Sequence, residues 1–358
     1  MHARRKQPGR HALLAGLAGL AAAGCAAPGP IFPPVEPPIA WPPAPDTARI
    51  RYVGQLTGEA SLNKPSSSLE VLNEILTGPK PRAAFITPMA VAVEGERVYV
   101  ADPGAGACAI HVLDLETREY RAIRQAGGAP LQWPIDVAGC GDRIAVADAQ
   151  RGAVFFYSRD GAYLGEAREG LNRPVALAWS ETARSLFVLD SAAHGVVVMD
   201  REGRVSRRFG GRGGERGQFN SPTGLALLSR EGFEHVLVAD AMNFRVQIVD
   251  LDGSSMLRFG KKGDAAGDFS LPRDVAADSA GHIYVLDNQF ENIQVFDSAG
   301  TLLTALGREG SGPGEFSLPS GITIDARDRI WVADTYNRRV QVFQYLGEEP
   351  TGVEEPTP

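Results

Sequence analysis

Asp136 and Asp274 each stand two residues after a proline that opens an apolar run. Trp133 precedes the first of these prolines, Arg273 adjoins Asp274, and Arg173 precedes Pro174, the matching proline of a third run. Two carboxylates flanked by guanidiniums and an indole can hold a divalent cation or a small polar ligand, or exchange protons with one. The plainer use of the same aspartates is to accept hydrogen bonds from neighbouring backbone. Six more aspartates close apolar runs: Asp102, Asp148, Asp190, Asp240, Asp287 and Asp334, separated by 46, 42, 50, 47 and 47 residues. A ring of carboxylates would attract hard cations. An aspartate just ahead of a tight turn also caps backbone N–H groups, and that structural use is the expectation for these six.

The other ligand and nucleophile types do not assemble. His2 and His11 lie near the start of the chain, His235 and His282 begin their runs at the end remote from the aspartate, His111 falls on an alternating strand, and His194 lies in a loop. No three converge, so a His-held zinc is not expected. No Ser or Cys occupies a nucleophile elbow and no Cys-x-x-Cys-His offers to carry haem. Cys108 and Cys140 fall near opposite ends of their strands, which disfavours a disulfide. No catalytic residue, metal ligand or cofactor is therefore assigned.

The elements that position these residues repeat. Val98-Tyr-Val-Ala-Asp102, Ile144-Ala-Val-Ala-Asp148, Leu186-Phe-Val-Leu-Asp190, Val236-Leu-Val-Ala-Asp240, Ile283-Tyr-Val-Leu-Asp287 and Ile330-Trp-Val-Ala-Asp334 are copies of one strand. Upstream of each, a proline (Pro88, Pro134, Pro174, Pro222, Pro272, Pro319) opens another apolar strand, and an alternating strand and a fourth strand follow downstream. Four short strands in 42–50 residues is the period of a β-propeller blade. The connections Gly210–Pro222, Gly260–Pro272 and Gly307–Pro319 carry Gly, Gly, Phe and Pro at offsets of 3, 7, 9 and 12 from the first Gly. Glycine there supplies positive φ, and Phe219, Phe269 and Phe316 read as plugs between blades.

Val332-Ala-Asp334-Thr-Tyr-Asn337-Arg-Arg339-Val-Gln341 and Asp240-Ala-Met-Asn243-Phe-Arg245-Val-Gln247 resemble the NHL-repeat family of propellers. The resemblance covers roughly residues 50–346. It implies an all-β, six-bladed propeller with an innermost strand beginning at each proline, and one face made by the loops before those strands and after each aspartate. Only one strand, Arg339–Leu346, remains after Asp334. Ile50–Leu56 is therefore expected to complete the sixth blade, hiding both edges. One element stands outside the repeat. Ser67 and Glu70 have capping-box spacing, and Leu69, Leu72, Ile75 and Leu76 make an apolar stripe ended by Gly78. A short amphipathic helix follows, expected to pack on the disc or seal the channel mouth. The sharper alternative is contact with a partner or a membrane.

The ends address the chain. Arg4, Arg5, Lys6 and Arg10 precede an apolar run from Ala12 to Ala23, which reads as a signal peptide over residues 1–24 and is too short to span a bilayer. Ala22-Ala23-Gly24-Cys25 resembles the bacterial lipobox, implying a lipidated Cys25. Ala26 in place of Asp favours the outer membrane. Nine prolines in residues 26–49 read as a semi-rigid stalk, and Gly347–Pro358, with four glutamates, as a disordered acidic tail. The net charge of -7 excludes a broad basic surface for nucleic acid. Arg212, Arg216, Lys261, Lys262 and Arg308 are interleaved with Glu215, Asp264, Asp268, Glu309 and Glu315, as on a mixed, solvated rim.

The function expected is that of a lipid-anchored propeller on the periplasmic side of the bacterial envelope, binding or scaffolding another envelope protein or complex. Two alternatives stand beside it: a periplasmic metal-dependent lyase or lactone hydrolase using Asp136 and Asp274, and a carbohydrate-binding module.

Overall fold

The computed structural model describes residues 28–347 except Ala107 and Glu231. Cys25, the signal segment and all but the first residue of the acidic tail lie outside them. Six antiparallel sheets form the body. Blade 1 holds Ala90–Glu94, Arg97–Asp102, Ala109–Asp114 and Glu119–Ile123. Blade 2 begins with Pro134–Cys140, blade 3 with Pro174–Ser180, blade 4 with Gly224–Arg230, blade 5 with Pro272–Ala277 and blade 6 with Gly321–Ile324. These first strands touch one another in sequence, and the sixth returns to the first. The ring is a six-bladed propeller.

Burial explains the strand patterns. Each second strand is covered on both sides by neighbouring blades, so Leu186–Asp190 and Ile330–Asp334 are buried throughout and read as continuous apolar runs. Each fourth strand faces solvent on one side, and Ser255–Phe259 and Leu302–Leu306 alternate accordingly. The large second-strand side chains carry their polar atoms to partners: Trp331 Nε1 donates to Asp325 at 2.9 Å and the Tyr284 hydroxyl to Asp278 at 3.0 Å. Phe219, Phe269 and Phe316 are fully buried, and each loop bridges back to its own phenylalanine through Arg212, Lys262 or Glu309.

Those loops yield a paired test of the glycine requirement. Gly260 and Gly281 share a φ of 86°, but a methyl on Gly260 would strike the Phe269 ring whereas one on Gly281 meets open space. Gly260→Ala is expected to lower stability by about 3 kcal/mol and Gly281→Ala by about 1 kcal/mol, measured by denaturant unfolding. Equal losses would mean that the plug does not constrain the loop.

Closure occurs as expected. Ile50–Leu56 pairs antiparallel with Arg339–Tyr345, Ile50 opposite Tyr345 and Leu56 opposite Val340. A further short strand, Ala40–Trp41, pairs on its outer side. This corrects the reading of a free-standing stalk, because residues 28–49 lie along the edge of blade 6. Phe32 meets Trp331 edge-on at 6.1 Å, over Gly54, and Trp41 meets Phe343 at 5.7 Å, over Gly314. Apolar residues spaced between the prolines find seats on a blade edge, and proline, lacking an N–H, suits an outermost position.

The inserted helix forms at Ser68–Thr77 with its capping box complete: Glu70 N–H donates to Ser67 Oγ at 3.2 Å and Ser67 N–H to Glu70 Oε2 at 2.7 Å. It neither packs its stripe on the disc nor closes the channel. Leu69, Leu72, Ile75 and Leu76 are 54–78% exposed. The base of the insert is fastened instead, by Phe85 N–H to Thr57 O at 3.0 Å, by Ala83 N–H to Glu59 at 3.0 Å and by buried Leu62.

Candidate functional site

The first strands surround an axial channel of ≈ 290 Å³. Of the residues two after each proline, Ala90, Asp136 and Asp274 line it. In blades 2, 3 and 5 the strand entry is bulged: Pro134 opposes Asp148 while Asp136 opposes Ala147, Pro174 opposes Asp190 while Ala176 opposes Leu189, and Pro272 opposes Asp287 while Asp274 opposes Leu286. The extra residue, Ile135, Val175 or Arg273, re-aims the residue that follows, an aspartate in blades 2 and 5. The corresponding residue in blade 4 is Gly224, where any Cβ would land on Asp274, and in blade 6 Gly321, where it would strike the Met89 carbonyl. Small residues at these two positions let adjacent blades close on one another.

Asp136 and Asp274 line the same channel. Asp136 accepts from Val137 N–H at 2.8 Å with one oxygen and from Leu177 N–H, in blade 3, at 2.7 Å with the other. Asp274 repeats this arrangement, accepting from Val275 N–H at 2.9 Å and from Ile322 N–H, in blade 6, at 2.9 Å. Each carboxyl thus fastens its blade to the next. Burial raises the Asp136 carboxyl well above the ordinary range, and the neighbouring Asp274 charge adds to the effect. Burial also pushes Asp274 up to about 7, against the opposing influence of the Ile322 and Val275 amides and Arg273. Arg273 is itself lowered by burial, with Asp274, Arg173 and Asp136 the charges that act on it. Trp133 and Arg173 are exposed at the rim of that face. The structure therefore brings Asp136, Asp274 and Arg273 together, with Arg173 within their electrostatic reach and Trp133 outermost.

A pH dependence follows from these raised values. Both carboxyls hold protons more tightly folded than unfolded, so their contribution to stability falls as pH rises above about 4, by at most about 1.4 kcal/mol per unit for each, and for Asp274 the fall ends near pH 7. Below that window the penalty is absent. Asp274→Asn is expected to flatten the decline between about pH 4 and pH 7, read from unfolding midpoints of both proteins; parallel curves would refute it.

Two channel residues escaped the sequence reading. Glu94 and Trp179 lie further along the first strands of blades 1 and 3 and line the same cavity. Burial raises Glu94, and Arg159 at 3.2 Å opposes that. Counting every second residue from each strand's entry, rather than stopping at the first, would have found Glu94.

The six strand-end aspartates are completely buried and turned to their own loops. Asp148 accepts from the N–H groups of Gln132, Trp133 and Arg151, and Asp287 from those of Ser270, Leu271, Gln289 and Phe290. Asp102 and Asp190 are bound in the same way. In blades 4 and 6 the aspartate also holds an arginine, Asp240 with Arg245 at 2.8 Å and Asp334 with Arg339 at 2.7 Å. In blade 1, at the strand position that Gln247 and Gln341 hold in blades 4 and 6, His111 lies 3.4 Å from Asp102 and 2.8 Å from the Tyr120 hydroxyl. His194 accepts from Ser221 N–H, while His235 and His282 pair with Asp250 and Asp278. Among the described residues, no three His, Cys, Asp or Glu side chains gather as a metal would require. Cys108 and Cys140 are both free thiols.

A family model described as a 6-bladed beta-propeller matches residues 275–352. No curated protein matches the chain. Among solved structures, a gluconolactonase from Xanthomonas campestris is 16% identical, with 89% of this chain and 98% of that one aligned and a TM-score of 0.59. An auxiliary nutrient binding protein from Bacteroides thetaiotaomicron is 13% identical over 74% of this chain and 70% of that one, TM-score 0.56. Virginiamycin B lyase from Staphylococcus aureus is 12% identical over 73% and 85%, TM-score 0.52. At such identities the likeness is one of fold, and this fold serves both binding and catalysis.

Proposed function

We propose that this chain is an NHL-type propeller tethered to the bacterial envelope through a lipidated Cys25, and that it binds or scaffolds another envelope protein on the face formed by the loops after the strand-end aspartates. The observation that carries this reading is the contrast on that face. The aspartates are engaged by their own loops, while Trp133, Met242 and Tyr336 stand 41%, 51% and 69% exposed there. Met242 and Tyr336 each follow a strand-end aspartate by two residues. Exposed aromatic and Met side chains on a rigid frame are what protein interfaces select.

A photocrosslinker at position 336, used in intact envelopes, should trap a reproducible protein, and Met242→Asp with Trp133→Ala should lower that yield at least about tenfold. Recovery of lipid alone, or of the same protein from a probe on the opposite face, would sink the proposal.

The enzyme reading has one observation in its favour: Asp274, with its carboxyl near neutrality, faces the same channel as Asp136, from the opposite blade. Acid–base work needs a group of that kind. It is tested by divalent-cation titration of the wild type and Asp136→Asn, and by lactone turnover. A cation bound at the channel with turnover lost in the variant would favour it over the binding module.

A further inference from the structure

The helix Ser68–Thr77 is turned the wrong way for one that packs on its own protein. Glu70, Asn73 and Glu74 line a cleft of ≈ 370 Å³ against the body, opposite Arg118 and Tyr120 of blade 1, and Glu74 is the half-buried residue among them. Leu69, Leu72, Ile75 and Leu76 point away and lie between 54% and 78% exposed. Four large apolar side chains on one stripe, with the polar face toward the protein, require an apolar medium outside it. The helix is ten residues long, half of what a crossing of the bilayer needs, so it can lie on a membrane but not span one.

The path of the chain says which medium is at hand. The Asn63 side-chain amide donates to Pro30 O at 3.1 Å, which fixes the start of the described chain beside the root of the insert. Ile31 and Phe32 pack on the same edge of the disc. Cys25 is five residues before Pro30, a distance of at most about 18 Å even when fully extended. An acyl group on Cys25 would therefore enter the bilayer within reach of this helix. Lys64 and Lys80 bracket the helix from the polar cleft, exposed, and long lysine stems can carry the charges from there toward lipid phosphates.

We infer that Ser68–Thr77 is a second membrane contact, its leucine and isoleucine stripe seated in the interfacial layer of the bilayer that holds Cys25. This rests on the lipid-anchor reading above. A contact at the rim of the disc leaves the loop face open to a partner. It also fixes the angle at which the disc is held, which a lone acyl anchor does not.

The test uses the full-length processed protein, its acylation established by mass spectrometry, in vesicles of phosphatidylethanolamine and phosphatidylglycerol. Amide hydrogen exchange across Leu69–Thr77 should slow at least about tenfold on vesicles, since so short a helix is marginal in water. Leu72→Glu with Ile75→Glu should abolish the slowing while the protein still floats with the vesicles and unfolds at the same temperature. A floating protein whose helix exchanges as fast as in water overturns the helix contact and leaves the anchor standing. If Cys25 proves unmodified, the anchor fails, and the same exchange measured with excess vesicles decides the helix separately. Slowing that depends on protein concentration without lipid assigns the stripe to a second copy, and slowing caused by an added envelope protein assigns it to that partner; either result overturns the proposal.

Discussion

A chain lacking residues up to Leu56 is expected to lose its cooperative unfolding transition and to self-associate. Ile50, Tyr52 and Leu56 are buried to within a few per cent of completely. Their removal alone takes away about 5–9 kcal/mol of apolar burial, comparable to the whole stability of an ordinary domain. The deletion also strips the partner strand Arg339–Tyr345. That exposes a row of backbone donors and acceptors beside Val340, Val342 and Phe343, a ready template for pairing between chains. Gel filtration and thermal unfolding of the truncated chain check the first part. The second is checked by adding a peptide spanning residues 48–58, which should add its strand to the open edge and restore a monomeric, cooperative disc. A truncated protein that melts like the full chain would mean that the sixth blade holds without its borrowed strand.

The next largest loss is expected from Asp334→Ala. This carboxyl receives Ser317 N–H, the Asn337 amide, Arg339 and the Gln341 amide. Arg339 is itself buried, its other nitrogens donating to Gln55 and to the Gly312 and Glu315 carbonyls. Without Asp334 a guanidinium remains in the interior with no counter-charge, which costs about 3–5 kcal/mol. Asp240→Ala should behave alike through Arg245. Asp190→Ala, where backbone amides are the partners given up, should cost only about 1–3 kcal/mol. Replacing Arg339 by Leu in the Asp334→Ala background should recover part of the loss, because the stranded charge leaves with it. Denaturant midpoints across these variants check the order; equal losses in blades 3 and 6 would mean that the arginine contributes nothing beyond the turn.

How much could be read beforehand depended on whether a position is governed by the repeat. The strand-end aspartates were legible because six copies impose one geometry, the phenylalanine plugs because three connections share one spacing, and the closing strand because the sixth blade is one strand short in sequence. The capping box of the inserted helix was legible too, being purely local. Which way the helix faces was not, since a stripe of leucines is the same string whether it meets protein or an external apolar phase. The proline-rich segment was misread from its average composition. Its docking is decided by Phe32 and Trp41, which matter only because Gly54 and Gly314 leave seats for them. The aspartates at the channel were found, but their use in stapling Leu177 and Ile322 of the next blades depends on a bulge that spacing alone does not reveal.

The pairing of Ile50 with Tyr345 also sets the timing of maturation. Ile50–Leu56 finds Ala40–Trp41 on its outer side early, but its inner mate, Arg339–Tyr345, follows only after the five intervening blades. The closed circle is then assembled in one late event across the largest loop that the molecule contains. Until then the ring stays open at its sixth blade.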